Sequence, residues 1–341
     1  VLIRVLERCT ALEGKYLIKI LTGELRIGLK EGLVEEAIAV AFGAPIEAVK
    51  KANLLLGDIG ETAQLAQRRQ LDSASLVPFR PVKYMLASPE QTAEAIWARA
   101  QEWNKSRVGF PPATSEAVET TEPPSANRHE APSTTVWIED KYDGIRCQLH
   151  KVGDRVALYS RDLKEITPGF LELADAVRAA PHDYVLDGEI VAMRENQALP
   201  FAELQRRIGR READLFLGDE IPVQFVVFDL LWHGGRSYLD VPLRQRREIL
   251  EGLPELRLSQ TTPAHSPAEI ETAFAAARER GNEGLVIKDP SSVYAPGRRG
   301  LAWLKLKKAY GTLDCIVVGA EYGHGKRRDV LSDYTFAVRE E

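Results

Sequence analysis

Residues 137–150, Trp-Ile-Glu-Asp-Lys-Tyr-Asp-Gly-Ile-Arg-Cys-Gln-Leu-His, constrain this chain more than any other stretch. Trp137 and Ile138 enter it as an apolar pair, and Ile145, Cys147 and Leu149 leave it in alternation. A period of two marks a strand with one buried face, and Asp-Gly between two such runs marks a turn. The expectation is strand, short turn at Asp143-Gly144, strand. Lys141 lies between Glu139, Asp140 and Asp143, with Arg146 just beyond. One account of Lys141 is a charged, solvated hairpin turn. The other is a nucleophilic amine. A free lysine has a pKa of ~10.4, so about one in 2,500 is neutral at pH 7. Bringing the pKa to ~7 takes roughly 4 to 5 kcal/mol of preference for the neutral form, from burial or nearby cations. The adjacent carboxylates work against this. The nucleophile reading therefore expects other cations to converge on Lys141 from elsewhere in the chain.

At 341 residues the chain has room for two or three domains. Its 44% hydrophobic and 28% charged residues suit a soluble globular protein. There is no run of 18 apolar residues, so no membrane span is expected. No signal peptide is visible, and the default location is the cytoplasm, nucleoid-associated in a bacterium. The chain starts Val-Leu-Ile and stops just after a strand-like Tyr334–Val338, so both ends read as cuts from a longer protein. Cys9, Cys147 and Cys315 form no CxxC pair, which implies neither a zinc site nor a disulfide framework. The net charge of −5 means that any surface for nucleic acid must be local.

Residues 1–79 read as helical. Leu33–Phe42 has apolar spacing near the helical period and ends at Gly43, Pro45 opens a helix to about Leu56, and Asp58 could cap a third. Leu21–Gly28 is a turn-rich stretch before them. Ser88-Pro89 reads as the start of another helix, from about Glu90 to Trp103. Residues 104–135, rich in Pro, Ser, Thr, Ala and Glu, read as a flexible, mildly acidic segment. Beyond 136 come short strands, including Val156–Ser160, Tyr184–Leu186 running on to Met193, Val223–Phe228, Glu283–Lys288 and Trp303–Lys307. Helices at Phe170–Ala179, Phe201–Arg210, Leu243–Glu251 and Pro267–Arg280 are interspersed irregularly, which favours α+β with mixed or antiparallel sheets. After Lys308 the pattern is all-β, like the start of a small barrel.

Five charged elements fall at strand ends: Lys141 with Arg146, Ser160-Arg161, Asp187-Gly-Glu189, Glu283 through Lys288, and Lys305 with Lys307. Each alone is explained by surface ion pairs. Together their chemistry is complementary. Lys305 and Lys307 point to one face of their strand. Glu189 and Glu283 are hard oxygen ligands suited to Mg²⁺. Arg146 and Arg161 suit phosphate or ribose.

In this order the motifs resemble those of the covalent nucleotidyltransferases, and among them the ATP-dependent DNA ligases. They are Lys141-Tyr-Asp-Gly-Ile-Arg146, Ser160-Arg161-Asp162, Asp187-Gly-Glu189, Phe225-Val-Val-Phe-Asp229, Glu283-Gly-Leu-Val-Ile-Lys288 and Trp303-Leu-Lys-Leu-Lys307. The resemblance runs over nearly the whole chain. It implies an all-α DNA-binding domain at 1–79 and an α+β nucleotidyltransferase (ATP-grasp-like) catalytic domain with antiparallel sheets at 80–307. A partial β-barrel, the opening of an OB domain, would follow at 308–341.

The roles it implies fall on matching positions. Lys141 would attack the α-phosphate of ATP and hold AMP. Glu139 would contact the adenine, and Phe228, otherwise a core aromatic, would stack on it. Arg146, Arg161 and Glu189 would surround ribose and phosphate. Glu189 and Glu283 would hold Mg²⁺, with Mn²⁺ as a substitute. Lys305 and Lys307 would stabilise charge on the phosphates, with help from Lys288, and Asp187 would be structural. The implied reaction seals nicks in duplex DNA, in repair, replication or recombination, by a monomer. Arg298 and Arg299, in a glycine-flanked turn, are free for a DNA backbone, or else form a solvated basic turn. Arg206, Arg207, Arg210 and Arg211 stand under the same choice. The family's last motif, in the second half of the OB domain, falls beyond this sequence. Two alternatives stand beside the ligase: an RNA ligase or mRNA-capping type of nucleotidyltransferase, and a non-catalytic DNA-binding protein of ligase-like fold. A Schiff-base lysine enzyme would leave Glu189, Glu283 and the paired lysines unexplained.

Overall fold

A computed structural model describes residues 2–21, 30–107, 135–194, 197–208, 221–307 and 314–338. Val1–Leu306 form one compact unit and Lys307–Glu341 a second. Leu21–Gly28 past its first residue, 108–134 of the Pro-rich segment, Arg210, Arg211 and Lys308 lie outside the described residues.

The first unit opens with helices α1 (Leu2–Leu6), α2 (Ala11–Leu21), α3 (Glu31–Phe42), α4 (Ile46–Leu56) and α5 (Ile59–Arg68). Their ends follow local chemistry. Gly43 leaves α3 in the left-handed region at φ 62°, Pro45 precedes α4, and Asp58 Oδ1 accepts from Glu61 N at 2.9 Å to cap α5. Ile38, Ala39, Val49 and Ala66 form the small core of α3–α5.

The strands that follow are β1 (Leu86–Glu90), β2 (Val136–Lys141), β3 (Ile145–Val152), β4 (Arg155–Ser160), β5 (Tyr184–Arg194), β6 (Gln197–Ala198), β7 (Val223–His233), β8 (Arg236–Ser237), β9 (Arg257–Leu258), β10 (Thr261–Ala264), β11 (Gly284–Lys288) and β12 (Arg299–Lys307). Two sheets result, β1-β12-β11-β2-β10 and β4-β3-β5-β7-β8, with β6 on β5 and β9 on β7. Most pairings are antiparallel, but β1 joins β12 and β9 joins β7 in parallel. Ser88-Pro89 does not start a helix. Both residues lie in β1, and helix α6 runs from Ala93 to Arg107. β1 is an edge strand, where a proline's missing N–H costs no ladder bond.

Alternation sorts each strand of the first sheet. Val136, Ile138, Leu285, Ile287, Leu304 and Leu306 pack on α6 and on the helix Pro267–Glu279. The opposite face carries Glu139, Lys141, Val286, Lys288, Trp303 and Lys305. In the second sheet Cys147, Leu149, Leu186, Ile190, Phe225 and Val227 pack on helices α7 (Leu171–Arg178), α8 (Phe201–Ile208) and Leu243–Glu251. Arg146, Asp187 and Glu189 take the other face.

Two glycines of the motifs are required by close approach. A Cβ on Gly144 would lie 2.3 Å from Ile190 O, and one on Gly188 would lie 2.6 Å from the Phe225 ring and from Val226 O. Between Asp187 and Gly188 the pairing with β7 slips by one residue, so Phe228 is the extra residue of a bulge. The segment leading from the helices to β1 is clamped on β3. Phe79 N donates to His150 Nδ1 at 2.8 Å, and Gln148 Oε1 accepts from Val82 N at 3.1 Å.

The second unit contains the antiparallel hairpin β13 (Cys315–Tyr322) and β14 (Leu331–Val338), with a short helical turn at Gly325–Arg327 between them. No helix among the described residues is long and apolar enough to cross a membrane.

Candidate active site

The inner faces of the two sheets line one pocket. β2 contributes Glu139, Asp140 and Lys141, followed by Tyr142. Arg146 comes from β3, Arg161 follows β4, and Glu189 comes from β5. β7 adds Phe228, β11 adds Val286 and Lys288, and β12 adds Arg299, Trp303 and Lys305. Eight of the residues anticipated from sequence as nucleotide contacts thus meet in one cavity, although they come from six separate stretches. Glu283 reaches Lys141 at its edge.

Glu139 and Lys141 are two residues apart on β2, so they share its inner face. Lys141 is bonded twice to the start of β11. Its carbonyl accepts from Glu283 N at 2.9 Å, and its ammonium pairs with the Glu283 carboxylate. The expected crowd of cations is therefore not what holds Lys141 Nζ; its ion-pair partner is a carboxylate. Arg161, Lys288, Arg299 and Lys305 nevertheless line the same cavity. Asp140 accepts from Arg280 at 3.0 and 2.7 Å and from Asn282 at 2.9 Å, which braces this end of β2.

Glu139 is buried and accepts three side-chain donors. Ser259 Oγ and Lys288 Nζ each lie 2.9 Å from Oε2, and Thr261 Oγ1 lies 3.2 Å from Oε1. Lys288 Nζ also donates to Phe228 O at 3.3 Å and lies over the Phe228 and Trp303 rings. It serves the Glu139 end of the pocket, whereas the sequence suggested phosphate.

Arg146 lines the pocket but its guanidinium is committed. Nε and Nη2 donate to the two Asp187 carboxylate oxygens at 3.1 and 2.7 Å. Burial works against its charge, yet Asp187 together with Tyr294 and Glu189 outweighs this and holds the Arg146 pKa above its ordinary value. Tyr84, Phe228 and Trp303 surround it, with ring centroids 4.8, 5.4 and 5.9 Å from Cζ. Tyr294 donates to Asp187 Oδ2 at 2.7 Å and accepts from Met85 N at 3.1 Å. Burial pushes the Tyr84 and Tyr294 phenols far up, so both stay neutral.

Glu189 stands directly opposite Arg146 on β5. Burial pushes its carboxyl up to about 8, Arg146 and Lys141 oppose the rise, and Asp187 and Glu283 add to it. Burial keeps this carboxyl from ionising readily despite those two cations. With Glu283 near, it offers hard oxygen donors for a divalent cation. Among the described residues no group of three or more His, Cys, Asp or Glu could form a protein cage. Mg²⁺ needs only one or two carboxylates when water and phosphates complete its shell, so the donor set fits it.

Four anticipated residues lie elsewhere. Lys307 is the exposed last residue of β12, outside the pocket lining. Arg298 Nη2 pairs with Glu47 of α4 at 3.2 Å on an exposed surface. Its neighbour Arg299 points instead to the pocket, as alternation along β12 requires. Arg206 and Arg207 pair with Glu203 and Glu172 respectively. Sequence reading missed Tyr84, Ser259, Thr261, Tyr294 and Trp303. Of these only Trp303 carried a signal, its alternation with Lys305.

A family model described as the ATP dependent DNA ligase domain matches residues 117–307, and one described as the DNA ligase N terminus matches residues 1–39. A probable DNA ligase of Opitutus terrae is 53% identical, over 96% of this chain and 36% of its own. One of Koribacter versatilis is 42% identical, over 99% of this chain and 58% of its own. A DNA ligase of Methanoculleus marisnigri is 36% identical, over 97% and 55%. The chain thus spans between 36% and 58% of the length of these curated relatives. With the first model covering more than half of its residues, the chain belongs to the family of the ATP-dependent DNA ligase domain.

Proposed function

We propose that this chain forms a covalent lysyl-AMP at Lys141 from ATP and passes the AMP to the 5′-phosphate of a nick in duplex DNA. The 3′-hydroxyl then attacks that phosphate and AMP leaves. The observation that carries this reading is the shared face of β2: a buried acceptor, Glu139, and an amine, Lys141, stand two residues apart in a cavity lined by cations.

In the first step the Lys141 Nζ–P bond forms and the bond from the α-phosphate to pyrophosphate breaks. Pyrophosphate leaves with the electron pair. The amine sheds a proton, and the Glu283 carboxylate is in reach to take it. Arg161, Arg299 and Lys305 face the phosphates, and Phe228 and Trp303 give the base an apolar wall. Glu189 and Glu283 would hold Mg²⁺, which neutralises phosphate charge when bound. Each step is a phosphoryl transfer, in which positioning and charge neutralisation dominate. Residues 1–79 would form the DNA-binding domain, 80–307 the adenylation domain, and 308–341 the opening of an OB domain.

Intact-mass analysis after incubation with magnesium and ATP, GTP or NAD tests the reading. The expected result is one acid-labile AMP adduct from ATP, absent from Lys141→Ala. A label that persists on that variant would overturn it, and labelling by GTP would point to capping chemistry.

A further inference from the structure

Glu139 is 4% exposed at the back of the pocket, whereas Arg161 and Arg299 are exposed at its mouth. A carboxylate has about four acceptor positions. Three are occupied, by Ser259, Lys288 and Thr261. Among the described residues Oε1 receives only Thr261, which leaves one of its acceptor positions open. The donors are fixed from three directions. Thr261 is directly opposite Glu139 across β10 and β2. Lys288 is diagonal to it on β11. Ser259 is anchored by its own N–H to Val227 O at 2.8 Å. All three give hydrogens to Glu139, so what remains for a ligand is an acceptor only, with its direction set.

We infer that Ser259 and Thr261 are positioning residues that set the base specificity of the pocket, by aiming the open lone pair of Glu139 at an exocyclic amine. The inference rests on the nucleotide reading above. A base with an amino group on its six-membered ring donates to that lone pair. A base with a carbonyl there meets carboxylate oxygen with oxygen and is rejected. Neither hydroxyl lines the cavity, so each acts through Glu139 rather than on the ligand. Without them the carboxylate can rotate toward Lys288, and the aimed acceptor is lost while the cation and the aromatic wall remain.

The test is calorimetric binding of AMP and of purine riboside 5′-monophosphate, which lacks only the 6-amino group, to the whole chain. Wild type should prefer AMP by roughly tenfold or more, the worth of one hydrogen bond to a charged group. In Ser259→Ala with Thr261→Val the preference should fall to about threefold or less, with the analogue's affinity nearly unchanged. Thr261→Ser, which keeps the hydroxyl, should retain the wild-type ratio, and it answers the question if the double variant does not fold. An unchanged ratio in a folded double variant, or a collapsed ratio in Thr261→Ser, overturns the inference alone. No AMP binding by wild type overturns the nucleotide reading with it.

Discussion

Arg246 and Asp229 are both fully buried, and replacing Arg246 by Met tests what their pairing contributes. Arg246 Nε and Nη2 donate to Asp229 at 2.6 and 2.8 Å, and Nη1 donates to Val241 O and, at 3.1 Å, to Ser292 O. The pair fastens the helix Leu243–Glu251 to β7 next to the Phe228 bulge. Met fills much of the arginine's volume but removes every donor. Stranding the carboxylate costs roughly 3 to 5 kcal/mol, and the orphaned carbonyls add about 1 kcal/mol. Leu230 N still donates to Asp229 at 2.8 Å and recovers part of this. The net expectation is about 4 kcal/mol, against the ~5 to 15 kcal/mol that holds a typical domain together. In a thermal melt that is a drop on the order of 10 °C for a unit of this size. Adding Asp229→Asn removes the stranded charge, so the double variant should regain about half of the loss, a coupling of at least about 2 kcal/mol. Urea unfolding of the four proteins measures the cycle. A loss under about 1 kcal/mol for Arg246→Met, or strict additivity in the double variant, would refute the reasoning.

Further outcomes are expected at other sites. The Glu189 carboxyl, ordinarily at 4.5, is pushed up to about 8 by burial, so the folded chain holds a proton that the unfolded chain has lost between those values. Stability from this group therefore falls as pH rises through that window, by roughly 5 kcal/mol in all. Glu189→Gln should melt above wild type at pH 8.5 and lose that advantage at pH 5; the reverse order would contradict the burial argument. Gly188→Ala places a Cβ 2.6 Å from Val226 O and should cost about 3 kcal/mol or more in urea unfolding. Glu47→Ala breaks only the exposed pairs to Lys50 and Arg298, so its urea midpoint should stay within about 1 kcal/mol of wild type.

Sequence was informative where one residue type had one task at a fixed spacing. Period-two alternation placed Trp303 and Lys305 on one strand, and the helix stop at Gly43 and helix start at Asp58 were readable from capping chemistry, whereas Lys141, read as part of the turn, is the last residue of β2. What it concealed was the pairing of distant polar groups. Nothing in Leu258-Ser-Gln-Thr-Thr262 shows that two of its hydroxyls will meet a carboxylate some 120 positions earlier. Arg146 looked available for phosphate because Asp187, itself bonded by Tyr294, reaches it only after folding. Ser88-Pro89 was misread because proline at a helix start and proline on a sheet edge have the same local signature. Only the partner strand tells them apart.

The common face of Glu139 and Lys141 makes β2 a ruler. Two residues of strand advance about 6.7 Å, and the hydrogen bonds on either side to β10 and β11 keep that length from stretching. Under the nucleotide reading, base recognition and bond formation are two marks on one rigid scale, so a ligand is measured before it reacts. A compound whose base and phosphorus are set at another spacing can satisfy one mark but not both.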